Sequence, residues 1–318
     1  MTEPRTVTIA SPVQTFHAYS FFIDAAEPAI IDTGVASSPE TSIRPELARA
    51  GIDMAATRWI LLTHGHPDHA GGAAGIKAAT SGAAQVVVHE KNADLVRSRA
   101  AHLHGHVDML ETYLTGGVEA FTAMTQHAIG GELEPDLEFA GGEVLDIGGA
   151  TLSVIPTPGH TDGAVTYWLE ETGRAFVGDS VQLRGGIMNQ FPSYEDPIAY
   201  RRSIEAILER EPAVLSLAHN FMASDGRPVG GDVVGSAEVR KVLRDALDIE
   251  SRIADAMARH IGAGELIVDP ADGPHAPFGA VAADLGYTKD PSRMPAPFFI
   301  TLDGYARALG ALPTRVPR

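Results

Sequence analysis

The chain contains no cysteine in 318 residues. That excludes a disulfide framework and removes thiolates from the ligands available to a metal. No apolar run reaches transmembrane length, and Met1-Thr2-Glu3-Pro4-Arg5 opens without a basic stretch leading into an apolar one. A cytoplasmic chain with no membrane partner is expected. Basic residues are few: 24 Lys and Arg stand against 41 Asp and Glu, a formal charge of −17. Such a surface repels polyanions, so no nucleic-acid partner is expected, and the simplest use of the charge is solubility. No internal repeat or low-complexity linker divides the sequence. Histidine is scarce too, 13 in all, which makes its clustering informative.

With 44% hydrophobic residues the chain can bury the core of one sizeable α/β domain with appendages. The segment Thr63-His64-Gly65-His66-Pro67-Asp68-His69 places four metal-competent side chains within six residues. Packed so tightly, three imidazoles and a carboxylate would repel and desolvate one another unless they served a cation. The preceding run, residues 58–63, is apolar and rich in β-formers, and reads as a buried strand. Small residues follow from Ala70 and read as a helix start. Ligands between a strand and a helix converge on one point from a rigid scaffold.

Adjacent Asp68 and His69 cannot easily join His64 and His66 on one tetrahedral centre. A two-metal site resolves this and calls for further ligands. Candidates follow apolar runs downstream: His160 after 151–156, Asp179 after 174–178, and His219 after 214–218. Asp32, in Ile30-Ile31-Asp32-Thr33-Gly34, has the same context. Ligands of this type suit Zn by default, with Fe or Mn as alternatives.

In their order, the segments Ile31-Asp32-Thr33-Gly34, His64-Gly65-His66-Pro67-Asp68-His69, Thr157-Pro158-Gly159-His160, Gly178-Asp179-Ser180 and Ala218-His219 resemble the metallo-β-lactamase superfamily over about residues 7 to 222. The resemblance implies an α/β fold, a four-layer αββα sandwich of two mixed sheets with the metals at one edge. It implies that His64, His66 and His160 hold one metal and that Asp68, His69 and His219 hold the second. Asp179 would bridge them, and Asp32 would stand behind the site. Relatives have Gly on both sides of the last His, where this chain has Ala218 and Asn220. The resemblance also allows a homodimer through the C-terminal helices.

Other members differ in ways that narrow the reaction. The flavo-diiron branch has Glu where this chain has His66, and the signal-degrading lactonases have Tyr where it has Gln182. The region after Asp179, from Gln190 to Pro197, is similar to the thioesterase-like members, glyoxalase II and the quinolone-signal-response thioesterase. The expected function is hydrolysis of a thioester or ester of a small-molecule acyl substrate, by attack of a metal-bridging hydroxide, with Asp68 and Asp179 as catalytic carboxylates. A thiolate leaves with little protonation, so the absence of a Tyr acid at Gln182 favours it over a lactone alkoxide. Gln182 and Arg184 are candidate pocket residues. The alternatives are a lactonase, a phosphodiesterase using Arg184 and Arg201, and a regulatory protein that binds its ligand with little turnover.

The predicted organisation is a catalytic domain over 1–232 and a helical extension over 233–318. A helix is predicted from Pro39 to Ala50, and a strand from Gln85 to His89 with His89 structural. A mostly helical insertion over about 91–135 is placed to wall or cover the substrate. It contains His102, His104 and His106, whose spacing of two puts them on different helix faces. They are therefore read as solvated or pocket-rim residues, not ligands. Asp196 and Pro197 open a helix running to about Glu211. Ser236 opens a longer one, with a stripe at Val239, Val242, Leu243, Ala246, Ile249, Ile253, Met257 and Ile261. Beyond Gly262 an irregular, Pro- and Gly-rich wrap and a short helix from Asp303 to Leu309 are expected.

Overall fold

The computed structural model describes residues 3–13, 16–103, 118–185, 191–265, 278–287 and 297–312. The first half pairs β1 (Arg5–Val13) with β2 (Phe16–Asp24), then β3 (Ala29–Ile31), β4 (Trp59–Leu61), β5 (Gln85–His89) and β6 (Leu137–Phe139). The β3, β4, β5 and β6 pairings are parallel and the first two antiparallel. Between these strands lie α1 (Arg44–Arg49), α2 (Pro67–Ala70), α3 (Ala73–Ala79), α4 (Ala93–Arg97), α5 (Arg99–His102) and α6 (Val118–Ala128). The second half orders β7 (Val144–Asp146), β8 (Thr151–Pro156), β9 (Val165–Leu169), β10 (Arg174–Phe176) and β11 (Val214–Met222), with β12 (Pro228–Val234) on β11. Its helices are α7 (Pro197–Glu209), α8 (Ser236–Gly262), α9 (Gly279–Asp284) and α10 (Pro297–Ala308).

Strand alternation builds the layers. Side chains of neighbouring strand residues face opposite sides of a sheet. Phe21, Ile23, Ala29, Ile31, Leu61 and Val87 pack inward against Leu152, Val154, Val165, Tyr167 and Phe176 of the second half. Their neighbours Phe22, Ile30, Ile60, Val86 and Val88 face outward and are covered by Ile43, Leu47, Ile76 and Val96. On the far side, Leu215 and Leu217 meet Tyr200, Ile204, Val242, Leu243 and Phe298 in a third cluster that joins α7, α8, α9 and α10. The result is the αββα sandwich. The two sheets are not fully separate: β2 and β11 pair at Ala18 and His219, so one hydrogen-bonded path crosses both.

The helix from Pro39, its first turn a π-turn, ends one residue short of Ala50. The stripe on α8 is buried as its periodicity requires, with Ile249 and Ile261 at its edge. Three expectations need correction. The strand before the His cluster stops at Leu61 because the Thr63 amide donates to the Asp32 carboxylate instead of a neighbouring strand. The last helix starts at Pro297, six residues earlier than expected, and α9 precedes it. Pro at a first helical position is favourable, since its missing N–H would have no helical partner there. His102 is not solvated but buried on α5, with its ring 6.3 Å from that of His66, and burial pushes its pKa down to about 4. His104 and His106 lie outside the described residues.

Candidate metal centre

The site forms where strands stop. Asp32 follows β3, and residues 64–69 lie between β4 and α3. His160 lies between β8 and β9, Asp179 follows β10, and His219 lies within β11 at the seam between the sheets. Residues 64, 66 and 160 form one group whose donor atoms lie within 4.8 Å of one another. His64, His69 and Asp179 form a second, and Asp68, His69 and His219 a third. All seven residues read from the sequence are thus brought together. Asn220, beside His219, accepts from the His17 amide through its Oδ1 at 3.0 Å and so ties β11 to β2 at the seam.

Four of the five imidazoles are oriented by what their other nitrogen meets. His69 Nδ1 faces Asp32 Oδ2 at 2.8 Å, His219 Nδ1 faces the His17 carbonyl at 2.9 Å, and His160 Nδ1 faces the Ser193 carbonyl at 2.6 Å. An acceptor requires N–H, so Nε2 is left as a lone pair in each neutral ring. Thr63 Oγ1 donates to Asp32 Oδ2 at 2.8 Å and therefore accepts from His64 Nδ1 at 3.2 Å, with the same result for His64. Asp32 thus receives the Thr63 amide, the Thr63 hydroxyl and His69. It sits at φ 55°, a left-handed conformation that Asp tolerates better than most residues.

The inward atoms are left unsatisfied. His64 Nε2, His69 Nε2, His219 Nε2 and Asp179 Oδ1 are buried without a hydrogen-bond partner among the described residues. A single such atom costs about 1–3 kcal/mol, and four gathered in one place call for positive charge between them. Spacing fits as well. A tetrahedral ion with bonds of about 2.0–2.1 Å separates its ligand atoms by about 3.3 Å. Asp179 Oδ1 is 3.2 Å from His219 Nε2 and 3.5 Å from His69 Nε2; Asp179 Oδ2 is 3.4 Å from His160 Nε2. Asp68 Oδ2 is 3.4 Å from His219 Nε2. The two oxygens of Asp179 therefore face different groups, as a bridge requires.

Protonation in the ion-free chain tells the same story. Burial opposes charge on His69, but Asp32, Asp68 and Asp179 outweigh it and raise its pKa to about 10. His219 is raised against its burial by Asp179. Burial lowers His160, and burial with the neighbouring imidazoles lowers His64 well below its ordinary value. Asp179 is buried, yet His219, His69 and His160 hold it well below the usual carboxylate range. Protons gather where the carboxylates are, and a divalent cation would displace them.

Gln182 belongs to the scaffold. It is buried, and its Nε2 donates to the carbonyls of Asp179 and Ser193, both at 3.1 Å, while Oε1 accepts from the Ser193 amide at 3.0 Å. It brackets the site where the sequence reading had placed a pocket wall. Arg184 is exposed, with its guanidinium 4.4 Å from the centroid of Phe191. Arg201 is bound to Glu250 and Glu205. Asn92 escaped the sequence reading: its Oδ1 accepts from the Gly65 amide at 2.8 Å, fixing the turn between His64 and His66. A lone Asn after a strand carries no signal of that role.

Comparison with known proteins agrees. The model of the metallo-beta-lactamase superfamily matches residues 14–219. The protein YobT of Bacillus subtilis (strain 168) is 28% identical over 173 residues, 50% of this chain and 66% of that one. A hydroxyacylglutathione hydrolase of Anaeromyxobacter dehalogenans (strain 2CP-C) is 30% identical over 168 residues, 52% of this chain and 47% of that one. The chain thus spans about half to two thirds of the length of these curated relatives. A metallo-beta-lactamase family protein of Thermus thermophilus shares the fold, with a TM-score of 0.62 at 21% identity over 92% of this chain and 96% of that one. Since the match runs from residue 14 to His219, the last of the candidate ligands, the chain belongs to the metallo-beta-lactamase superfamily.

Proposed function

We propose that the protein is a dinuclear metal-dependent hydrolase that cleaves a thioester or ester of a small acyl substrate. The observation that carries this is the gathering of three buried, unsatisfied imidazole nitrogens around Asp179, a carboxylate with an unsatisfied oxygen of its own that faces both ways. His64, His66 and His160 would hold one ion, Asp68, His69 and His219 the other, and Asp179 would join them. Two divalent ions so held, Zn by default with Fe or Mn as alternatives, supply a nucleophile at neutral pH and polarise the substrate carbonyl. The resemblance to a hydroxyacylglutathione hydrolase, named for an acyl group carried on glutathione, supports the thioester.

The chain's own residues then divide the work. Asp179 and the imidazoles fix the reacting centre, and Asp32 keeps His69 in the tautomer that presents Nε2. Asp68 is the more exposed carboxylate of the centre, at 18% against 6% for Asp179, so it is the one placed to accept a proton from attacking water. Gln182 has no acidic proton, so that position offers no acid to an alkoxide, whereas a thiolate leaves without one. A phosphodiesterase is less well served: Arg201 is neutralised by two glutamates, leaving Arg184 of the pair.

The test is a panel of thioesters, lactones and phosphodiesters with metal-loaded protein. The kcat/KM for an acyl thioester is expected to exceed that for the matching lactone by tenfold or more, about 1.4 kcal/mol of transition-state free energy. A tenfold preference for the lactone overturns the thioesterase assignment. Binding without turnover across the panel supports the regulatory reading instead.

We further propose that Arg184, exposed and laid over Phe191, meets an anionic group of the substrate. Arg184→Ala is expected to raise KM about two- to fivefold for a thioester bearing a carboxylate, the roughly 0.5–1 kcal/mol of an exposed ion pair. The KM for a neutral thioester and kcat for both should not move. Equal changes for charged and neutral substrates would remove Arg184 from the pocket.

A further inference from the structure

We propose that Thr301, on α10, is a positioning residue for His160, so that a helix outside the family-matched segment sets the affinity of one of the two ions. This rests on the two-cation reading above. His160 is aimed by the Ser193 carbonyl, which takes its Nδ1–H at 2.6 Å. Gln182 holds both peptide groups of Ser193, donating to the carbonyl and accepting from the amide. Thr301 holds the opposite ends of the same two peptide groups with one hydroxyl: Oγ1 accepts from the Tyr194 amide at 3.0 Å and donates to the Pro192 carbonyl at 2.9 Å. Both groups of the bond are buried and Thr301 is fully so. The bracket continues into the His160 loop, where the Glu195 and Asp196 amides both donate to the Gly159 carbonyl, at 2.7 and 3.0 Å.

The contact is the work of one helix face. Phe298, Thr301 and Tyr305 are spaced by three and four residues, so they lie in one row along α10. Phe298 stacks on Phe191 at 4.7 Å, and the Tyr305 hydroxyl lies 3.2 Å from that of Tyr194. Gly304, on the same side, lets the helix approach: a Cβ there would come within 2.5 Å of the Glu195 carbonyl. Residues 191–196 are thus held between α10 and the His160 loop. The other triad is oriented differently, through Asp32 and the His17 carbonyl. A lesion at Thr301 should therefore reach one ion and spare the other.

The experiment is a stepwise Zn²⁺ titration of the full-length, metal-free chain against a competing chelator, with no substrate present. Thr301→Val keeps the volume and removes both hydrogen bonds; Thr301→Ser keeps the hydroxyl. In Thr301→Val one equivalent should bind with wild-type affinity and the other about 10–100-fold more weakly, the usual cost of losing a ligand's support. Thr301→Ser should restore both. If Thr301→Val does not fold, Tyr194→Phe, which cuts the neighbouring tie to Tyr305 and leaves the Tyr305 bond to Glu250 in place, should show the same one-sided weakening to a smaller degree. Two wild-type affinities in a folded Thr301→Val chain, or equal weakening of both, overturn the proposal. A wild-type chain that takes only one ion overturns the two-cation reading and the site selectivity with it.

Discussion

Asp179→Asn is expected to reduce hydrolysis to the uncatalysed background and to leave about one divalent ion per chain in place of about two. The reason lies in the two faces of this carboxylate. Oδ1 looks at His69 and His219, and Oδ2 looks at His160. Asparagine keeps the shape and loses one acceptor and the charge, so one side of the bridge becomes an amide NH₂, which has no lone pair for a cation. The loss should also appear without any metal. Asp179 raises the pKa of His219 against the cost of burial. Histidine titration by NMR should show that pKa falling in the metal-free variant. A variant that keeps both ions and measurable turnover would mean that Asp179 does not bridge.

Asp32→Asn should have the next largest effect. Asn tolerates the left-handed backbone at this position, so the strain at φ 55° is not the issue. The hydrogen bonds are. Asp32 receives three donors across its two oxygens, from the Thr63 amide, the Thr63 hydroxyl and His69. An amide placed there must turn its NH₂ toward at least one of them. That leaves a buried donor unmet, at about 1–3 kcal/mol of stability. His69 loses the acceptor that fixes its tautomer, so metal affinity should fall about 10–100-fold. Thermal melts of the metal-free chain and chelator competition measure the two parts separately. Unchanged affinity would show that His69 does not depend on Asp32.

Much of this centre was legible because most of its ligands are side chains at strand ends, His219 within β11 excepted. His64, His66, Asp68 and His69 announce themselves by spacing, and His160, Asp179 and His219 by the apolar runs that precede them. The layers were legible too, since strand alternation and the α8 stripe are written in residue type. What supports the ligands was not. His160 and His219 are oriented by the carbonyls of Ser193 and His17, and every residue has a carbonyl. Gln182 and Thr301 act on backbone groups brought near by folding, so neither leaves a pattern at short range. His102 was misplaced because spacing alone does not say which face of a short helix is covered. The start of α10 is not legible because Pro297 falls in a Pro- and Gly-rich stretch that reads as an irregular wrap, whereas at a first position Pro begins a helix.

Metal stoichiometry bears most directly on the two-cation centre. The chain should be purified from metal-replete medium, dialysed, and assayed for Zn, Fe and Mn together against protein concentration. About two equivalents per chain are expected, with both lost on chelation and both regained, together with hydrolysis, on adding metal back. A preparation that is fully active with one equivalent and cannot take up a second would contradict the bridging of two ions by Asp179.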